Sequence, residues 1–272
     1  MKNRLLVIFF FLIYGSSFAQ NNDFVKEWMM KDTLFISQLS KSYKNSTEEL
    51  VKTLETGSEK VTDLGFNYKL MEGGHGKGYI TFWYQVLFYF DDIISVELIL
   101  KKIPEKGEKF KNLYKDKLSL LFEVDDDYTI QPLEIGSENL FCPLGEINPL
   151  SNDILNFSMS PFSGITYGAY CGEGSQLLKN RAYFDAVVTT DNCEYLMHSI
   201  NPATRMMAIE YYYFNLKNFE KVDVERINNW INKLVYQPVS TSTCSGCIVG
   251  DNNTKKLIEN LKLDIKYYYP SK

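Results

Sequence analysis

At Gly65 the hydrophobic period of this chain changes, and from Ser175 it changes back. Before Gly65, Phe24, Trp28, Phe35 and Leu39 recur at helical spacing, as do Val25, Met29 and Ile36. Ser46 followed by Glu49 forms a capping box, in which each side chain satisfies a free backbone N–H of the first turn. Leu50, Val51 and Leu54 supply that second helix with an apolar side. After Gly65 the spacing shortens to two. Phe66 to Met71 reads as a strand, Gly73 to Gly78 as a glycine-rich turn, and Tyr79 to Phe90 as a long aromatic and β-branched strand. Asp91-Asp92 marks a tight turn. In the strand that follows, Ile94, Val96, Leu98 and Leu100 face one way while Ser95 and Glu97 face the other. Pro104 and Gly107 end it, and Phe110, Leu113, Tyr114, Leu118 and Leu121 form the stripe of a covering helix. The pattern predicts an α+β protein with a helical N-terminal segment, an antiparallel β-hairpin with a covering helix, and a helical-hairpin C-terminal region.

The second half reads more unevenly. Gly and Pro punctuate residues 131–174, which suggests a loop-rich connection. Helices are expected at about 176–189 and 193–199. Asn201 then caps a helix with Pro202 at its first position, where the missing N–H costs nothing. That helix runs through Ala203, Met207, Tyr211 and Phe214. Asp223 is expected to cap another, striped by Val224, Ile227, Ile231 and Leu234 and ended by Gln237-Pro238. A short extended piece leads to Cys244-Ser245-Gly246-Cys247. A last helix over Leu257, Ile258 and Leu261 precedes an extended tail from Ile265 to Tyr269. The expected regions are therefore 1–19, 20–130, 131–174 and 175–272.

Residues 1–19 carry an address. Lys2 and Arg4 form a positive head, Leu5 to Tyr14 is an unbroken apolar run, and Ser17-Phe18-Ala19 sets small residues around a large one. This is the layout of a cleavable secretory signal, with cleavage expected after Ala19. The run falls short of the roughly 20 apolar residues a membrane span needs. No later segment is long and apolar enough to stop transfer, so the mature chain is expected to have no transmembrane segment and to be secreted or periplasmic. Losing Lys2 and Arg4 takes the formal net charge from −5 to −7. A mildly acidic chain without a basic stripe argues against nucleic acid as partner. Aromatics make up 15% of the chain and lie mostly in apolar-patterned segments, which points to core packing.

Five cysteines remain in the mature chain: Cys142, Cys171, Cys193, Cys244 and Cys247. In an oxidising compartment they are disulfide or redox candidates, and an odd number leaves one over. The Cys-Ser-Gly-Cys motif has three readings. A redox pair would gain from a helix N-terminus, but the next helix is expected to start only near Asn253. A zinc site would need two further ligands from Cys142, Cys171, Cys193, His75 or His198, none of which forms a second close pair. A structural disulfide, within the motif or to another cysteine, is the third. No cofactor or metal is expected.

The layout from Gly168 onward, with its Ser199-Ile-Asn-Pro202 junction, tyrosines at 211 to 213 and terminal Cys-Ser-Gly-Cys-Ile248, resembles a group of secreted bacterial proteins sharing a C-terminal CSGC. The group brings no catalytic assignment with it; the resemblance implies a bacterial source and an envelope location. Within 191–216, Asn201-Pro-Ala-Thr-Arg205-Met-Met-Ala208 resembles the second-helix start of a HEAT-type helical hairpin, in which Arg bonds back to the turn and Ala permits close packing. A solenoid needs at least about three such units, and only one is found.

Other motifs fail on spacing. Gly73-Gly-His75-Gly-Lys77-Gly78 has two residues where a phosphate loop needs four, and it precedes a strand. A binding loop in which His75 and Lys77 meet an anion is the functional reading that survives. Glu123-Val-Asp125-Asp-Asp127 lacks the glycine of a calcium loop, with Ile130 in its place. Two histidines exclude a three-histidine zinc site, and no Gly-x-Ser-x-Gly elbow occurs. Carboxylate pairs for glycoside hydrolysis are spaced in three dimensions and cannot be read here. Three functions follow: a non-catalytic binding or accessory protein whose partner is another protein or an envelope component; a thiol–disulfide protein acting through Cys244 and Cys247; and an envelope hydrolase acting on glycan or peptide. Oligomeric state is not encoded in any of these patterns.

Overall fold

The computed structural model describes residues 2–102, 108–125, 127, 129–141, 143–145, 147, 150 and 153–268. Helices α1 (Lys2–Asn45) and α2 (Thr47–Leu54) precede strands β1 (Lys60–Gly65), β2 (Tyr68–Gly76), β3 (Thr81–Tyr89) and β4 (Asp92–Lys102). Helix α3 (Glu108–Leu118) and strand β5 (Leu133–Ile135) follow, then α4 (Asp153–Met159), β6 (Tyr170–Cys171) and β7 (Gln176–Leu177). The chain closes with α5 (Lys179–Val187), α6 (Thr190–Met197), α7 (Pro202–Phe214), α8 (Lys221–Leu234), β8 (Ser240–Ser245), β9 (Ile248–Asn253) and α9 (Thr254–Tyr268). The fold is α+β, as the period changes imply.

Strands β1 to β5 form one sheet in chain order, and β6–β7 and β8–β9 are separate antiparallel pairs. The β1–β2 turn places both Phe66 and Asn67 at positive φ (54° and 67°). Two such residues give the twist that lets a two-residue loop join antiparallel strands. Between β3 and β4 it is Phe90 that takes the positive φ (55°), so the turn lies at Phe90–Asp91, one residue before the expected Asp91-Asp92. The glycine-rich stretch is a correction. Gly73 to Gly76 belong to β2, and the connection shrinks to Lys77–Ile80. A Cβ on Gly73 would sit 2.5 Å from the Tyr84 hydroxyl, so this glycine makes room for a ring on the next strand.

The chain forms two compact units: Met1–Glu59, Glu72–Tyr84 and Glu97–Glu134 in the first, and Lys60–Met71, Gln85–Val96 and Ile135–Lys272 in the second. Each unit takes part of its residues from β2, β3 and β4. In the first unit, α1 packs on α2 and α3. Phe35, Ile36 and Leu39 are buried with Leu50, Val51, Leu54, Tyr114 and Leu118. The buried Asp32 carboxylate accepts from the Tyr79 and Ile80 N–H groups and from the Tyr114 hydroxyl at 2.7 Å. Ser46 caps α2 by accepting from the Glu49 N–H.

In the second unit, α4, α6, α7, α8 and α9 contribute to one apolar cluster that includes Leu155, Met159, Leu196, Met207, Ile231 and Ile258. A second cluster joins Leu64, Leu70 and Leu87 to Leu140, Leu144, Ile165 and Ile200. Helix α4 falls inside the expected loop-rich connection. Residues 176–177 pair with 170–171, so α5 starts only at Lys179. Asp223 lies in the first turn of α8, whose N-cap is Glu220. The expected extended tail is helical through Tyr268, and Tyr269 lies outside the described residues. Leu5 to Tyr14 fall within α1, and no helix among the described residues is long and apolar enough to cross a membrane.

Candidate functional site

Helix α8 places Arg226, Trp230 and Lys233 at i, i+4 and i+7, which lines them along one face. Helix α6 supplies Glu194 and, at its C-cap, His198. With Gly145, Ile147 and Asn229 these groups line a cleft of about 760 Å³ in the second unit. The His198 and Trp230 rings lie nearly parallel with centroids 3.9 Å apart. Phe66 stacks on Trp230 at 5.9 Å, and the Arg205 guanidinium stands 5.5 Å from the Phe66 ring. Gly145, at φ +78°, has Trp230 and His198 as its nearest neighbours.

Several polar groups of the cleft are fixed before any ligand arrives. Trp230 donates its Nε1–H to the Met197 carbonyl at 3.0 Å. Arg226 donates through Nε and Nη2 to the two oxygens of Glu194 and also pairs with Asp223 at 2.8 Å. Those carboxylates hold its pKa above the ordinary arginine value. The Nδ1 of His198 meets the Leu144 carbonyl, which only accepts, so Nδ1 carries the proton and Nε2 the lone pair. Burial pushes the His198 pKa down, with Lys233 adding to the effect and the Leu144 carbonyl and Glu194 opposing it. The imidazole is neutral at pH 7. Lys233 lies 5.5 Å from the Trp230 centroid and brings a second cation to the wall.

Of the residues singled out in the sequence, His198 lines this cleft, and Cys171, Cys193, Cys244, Cys247, His75 and Lys77 are not among its lining residues. Cys171 and Cys244 form a disulfide with Cα atoms 5.5 Å apart. Cys193 is buried, donates toward the Ala208 carbonyl, and has its pKa pushed up to about 12 by desolvation. Its thiol is therefore held in the unreactive form. Cys247 is exposed and free, and Cys142 lies outside the described residues. Cys244 and Cys247 are not bonded to one another; the motif is the tip of the β8–β9 hairpin, with Ser245 paired to Ile248. His75 is a buried residue of β2. Its Nδ1 meets the Leu54 carbonyl at 2.8 Å and its ring packs on Phe35 at 4.4 Å. Lys77 projects over the same Phe35 ring at 6.0 Å. At the acidic turn, the Thr129 N–H donates to Asp125 at 2.7 Å. Among the described residues no group of three or more His, Cys, Asp or Glu side chains is placed to hold a metal ion.

Sequence reasoning missed the cleft. The usable signal was the Arg226, Trp230, Lys233 spacing on a helix already expected, but Glu194 and Gly145 come to it only through the fold. Comparison with family models, with curated proteins and with solved structures returns no match for this chain. The disulfide and the lack of a membrane-crossing helix among the described residues fit an extracellular or periplasmic protein.

Proposed function

We propose that this chain is an exported, non-catalytic binding protein of the bacterial envelope, and that the cleft between α6 and α8 holds its ligand. The observation that carries the reading is the fixed wall of that cleft: Arg226 held by Glu194 and Asp223, the Trp230 N–H held by Met197, and His198 stacked on Trp230 and hydrogen-bonded through Nδ1 to Leu144. Groups immobilised in advance lose little entropy on binding, which favours recognition. The hydrolase reading gains less from the same geometry. Both Glu194 oxygens are committed to Arg226, and no Ser, Thr or Cys nucleophile stands beside His198 among the described lining residues. Export rests on the layout of residues 2–19, with maturation after Ala19, and the bacterial envelope rests on the CSGC resemblance.

Lys233, an aromatic face and the Asn229 amide suit a glycan or peptide fragment bearing a carboxylate, while the Arg226 charge is already met by Glu194 and Asp223. Titration calorimetry with soluble muropeptides, with peptide-free oligosaccharides and with short acidic peptides tests this. Saturable heat is expected with at least one of them. Lys233→Glu, at an exposed position, should weaken binding about tenfold, or about 1.4 kcal/mol. No saturable heat with any probe, or equal affinity in the variant, overturns the reading.

A further inference from the structure

A disulfide and a free thiol meet at the tip of one hairpin in the second unit. Cys171 lies beside Gly246 in a parallel bridge, and the Gly172 N–H donates to the Gly246 carbonyl at 2.8 Å. That same carbonyl oxygen is 3.5 Å from the Cys244 sulfur. The next residue is Cys247. Across a trans peptide a carbonyl oxygen and the following Cα are about 2.8 Å apart, so the Cys247 Cα lies within about 6 Å of the Cys244 Sγ. A cysteine sulfur stands about 2.8 Å from its own Cα. A sulfur on the exposed Cys247, turned toward Cys244, would thus come to within about 3.5 Å of the disulfide. Nothing within 4 Å occupies the space a Cβ would fill at Gly246, so the tip is open on that side.

We infer that Cys247 is a thiol-exchange site built into this hairpin. Its thiolate attacks the Cys244 sulfur, a Cys244–Cys247 bond forms, and the Cys171–Cys244 bond breaks. Cys171 leaves as a thiolate and takes a proton from solvent. One disulfide is present before and after, so the step needs no oxidant or reductant. Cys244 is the sulfur attacked because it is the one in contact with the Gly246 carbonyl, and its strand is held along β9 by a six-residue register. Cys171 is the leaving group because it ends a two-residue strand that runs straight into open glycines at 172 and 174. After exchange, the β6–β7 hairpin keeps its backbone contacts to the β8–β9 tip, such as the Cys171–Gly246 bridge, but loses its covalent tether. The freed Cys171 thiol then becomes the group available to a disulfide-bearing or thiol-reactive partner. This inference stands apart from the ligand cleft.

The test uses the full mature chain purified without reductant, with Cys142→Ser in every arm so that only the three hairpin sulfurs and buried Cys193 remain. Samples held at about pH 5.5 and about pH 8.5 are labelled with a maleimide at acid pH and mapped by mass spectrometry. The higher pH increases the attacking thiolate. At low pH the label should fall on Cys247 alone. After incubation at high pH, labelled Cys171 should rise about tenfold, and the peptide carrying Cys244 and Cys247 should appear with an internal bridge. Cys247→Ser, which alters only an exposed side chain, should abolish Cys171 labelling under both conditions with an unchanged circular dichroism spectrum. Cys171 staying unlabelled in the parent, labelling equally in Cys247→Ser, or label arriving at Cys244 instead would overturn the assignment.

Discussion

Arg205 ties three separate stretches of the second unit together. It is buried and donates to the carbonyls of Ser199 at 2.8 Å, Gln237 at 3.1 Å and Leu64. Burial pulls its pKa down to about 9, with Asp63 opposing, which leaves it charged at neutral pH. Arg205→Met keeps much of the volume but strips three carbonyls of their donor. Such a loss costs about 3–5 kcal/mol, so the urea midpoint followed by circular dichroism should fall sharply. Arg205→Lys should recover only part, because one ammonium cannot reproduce a planar fork. The bond back to Ser199 follows from local spacing after Asn201-Pro202. The bond to Leu64 spans 141 residues and could not be read from any window of sequence.

Elements were legible where one local signal dominated. Asn201-Pro202 marks the start of α7, and the Asn201 side chain does accept from the Ala203 N–H. The β3–β4 hairpin followed from alternation, although Ser95 faces a covered side: it is buried and donates to the Ile135 carbonyl of β5. Helix α4 escaped because seven residues give too little period to detect. Strand β8 is the short extended piece expected before Cys244, whereas β9 escaped because Gly, Asp and Asn fill its second half and it is exposed throughout. At this scale the two histidines set a pH limit. His75 in β2 and His198 at the end of α6 both have pKa values lowered from 6.5, chiefly by burial. The unfolded chain therefore binds protons first as pH falls below about 6.5, and stability contributed by the neutral rings is lost below that point. The urea midpoint should decline from about pH 6.5 toward pH 5, and His75→Gln or His198→Gln should flatten that decline. A midpoint unchanged over this range would contradict the burial of both rings.

For the molecule as a whole, the Cys171–Cys244 bridge closes a loop of 73 residues by sequence separation. Nothing in the spacing of five cysteines chooses that pairing, since partners are matched by the fold and not by their neighbours. Restricting an unfolded loop of that length is worth about 4 kcal/mol. Cys171→Ala combined with Cys244→Ala should lower stability by roughly that amount in equilibrium unfolding, and a change under about 1 kcal/mol would mean that the bridge closes structure already fixed by other contacts. The division of strands between the two units has a temporal consequence. Every residue of the first unit precedes Ile135 in the chain, so its share is complete at the ribosome or translocon while half of the polypeptide is still to come. Leu64, Leu70 and Leu87 must then wait, uncovered, for Leu140, Ile165 and Ile200 to arrive. The nascent protein thus passes through an interval with a greasy, unfinished sheet end, and that interval is when a holdase would find it.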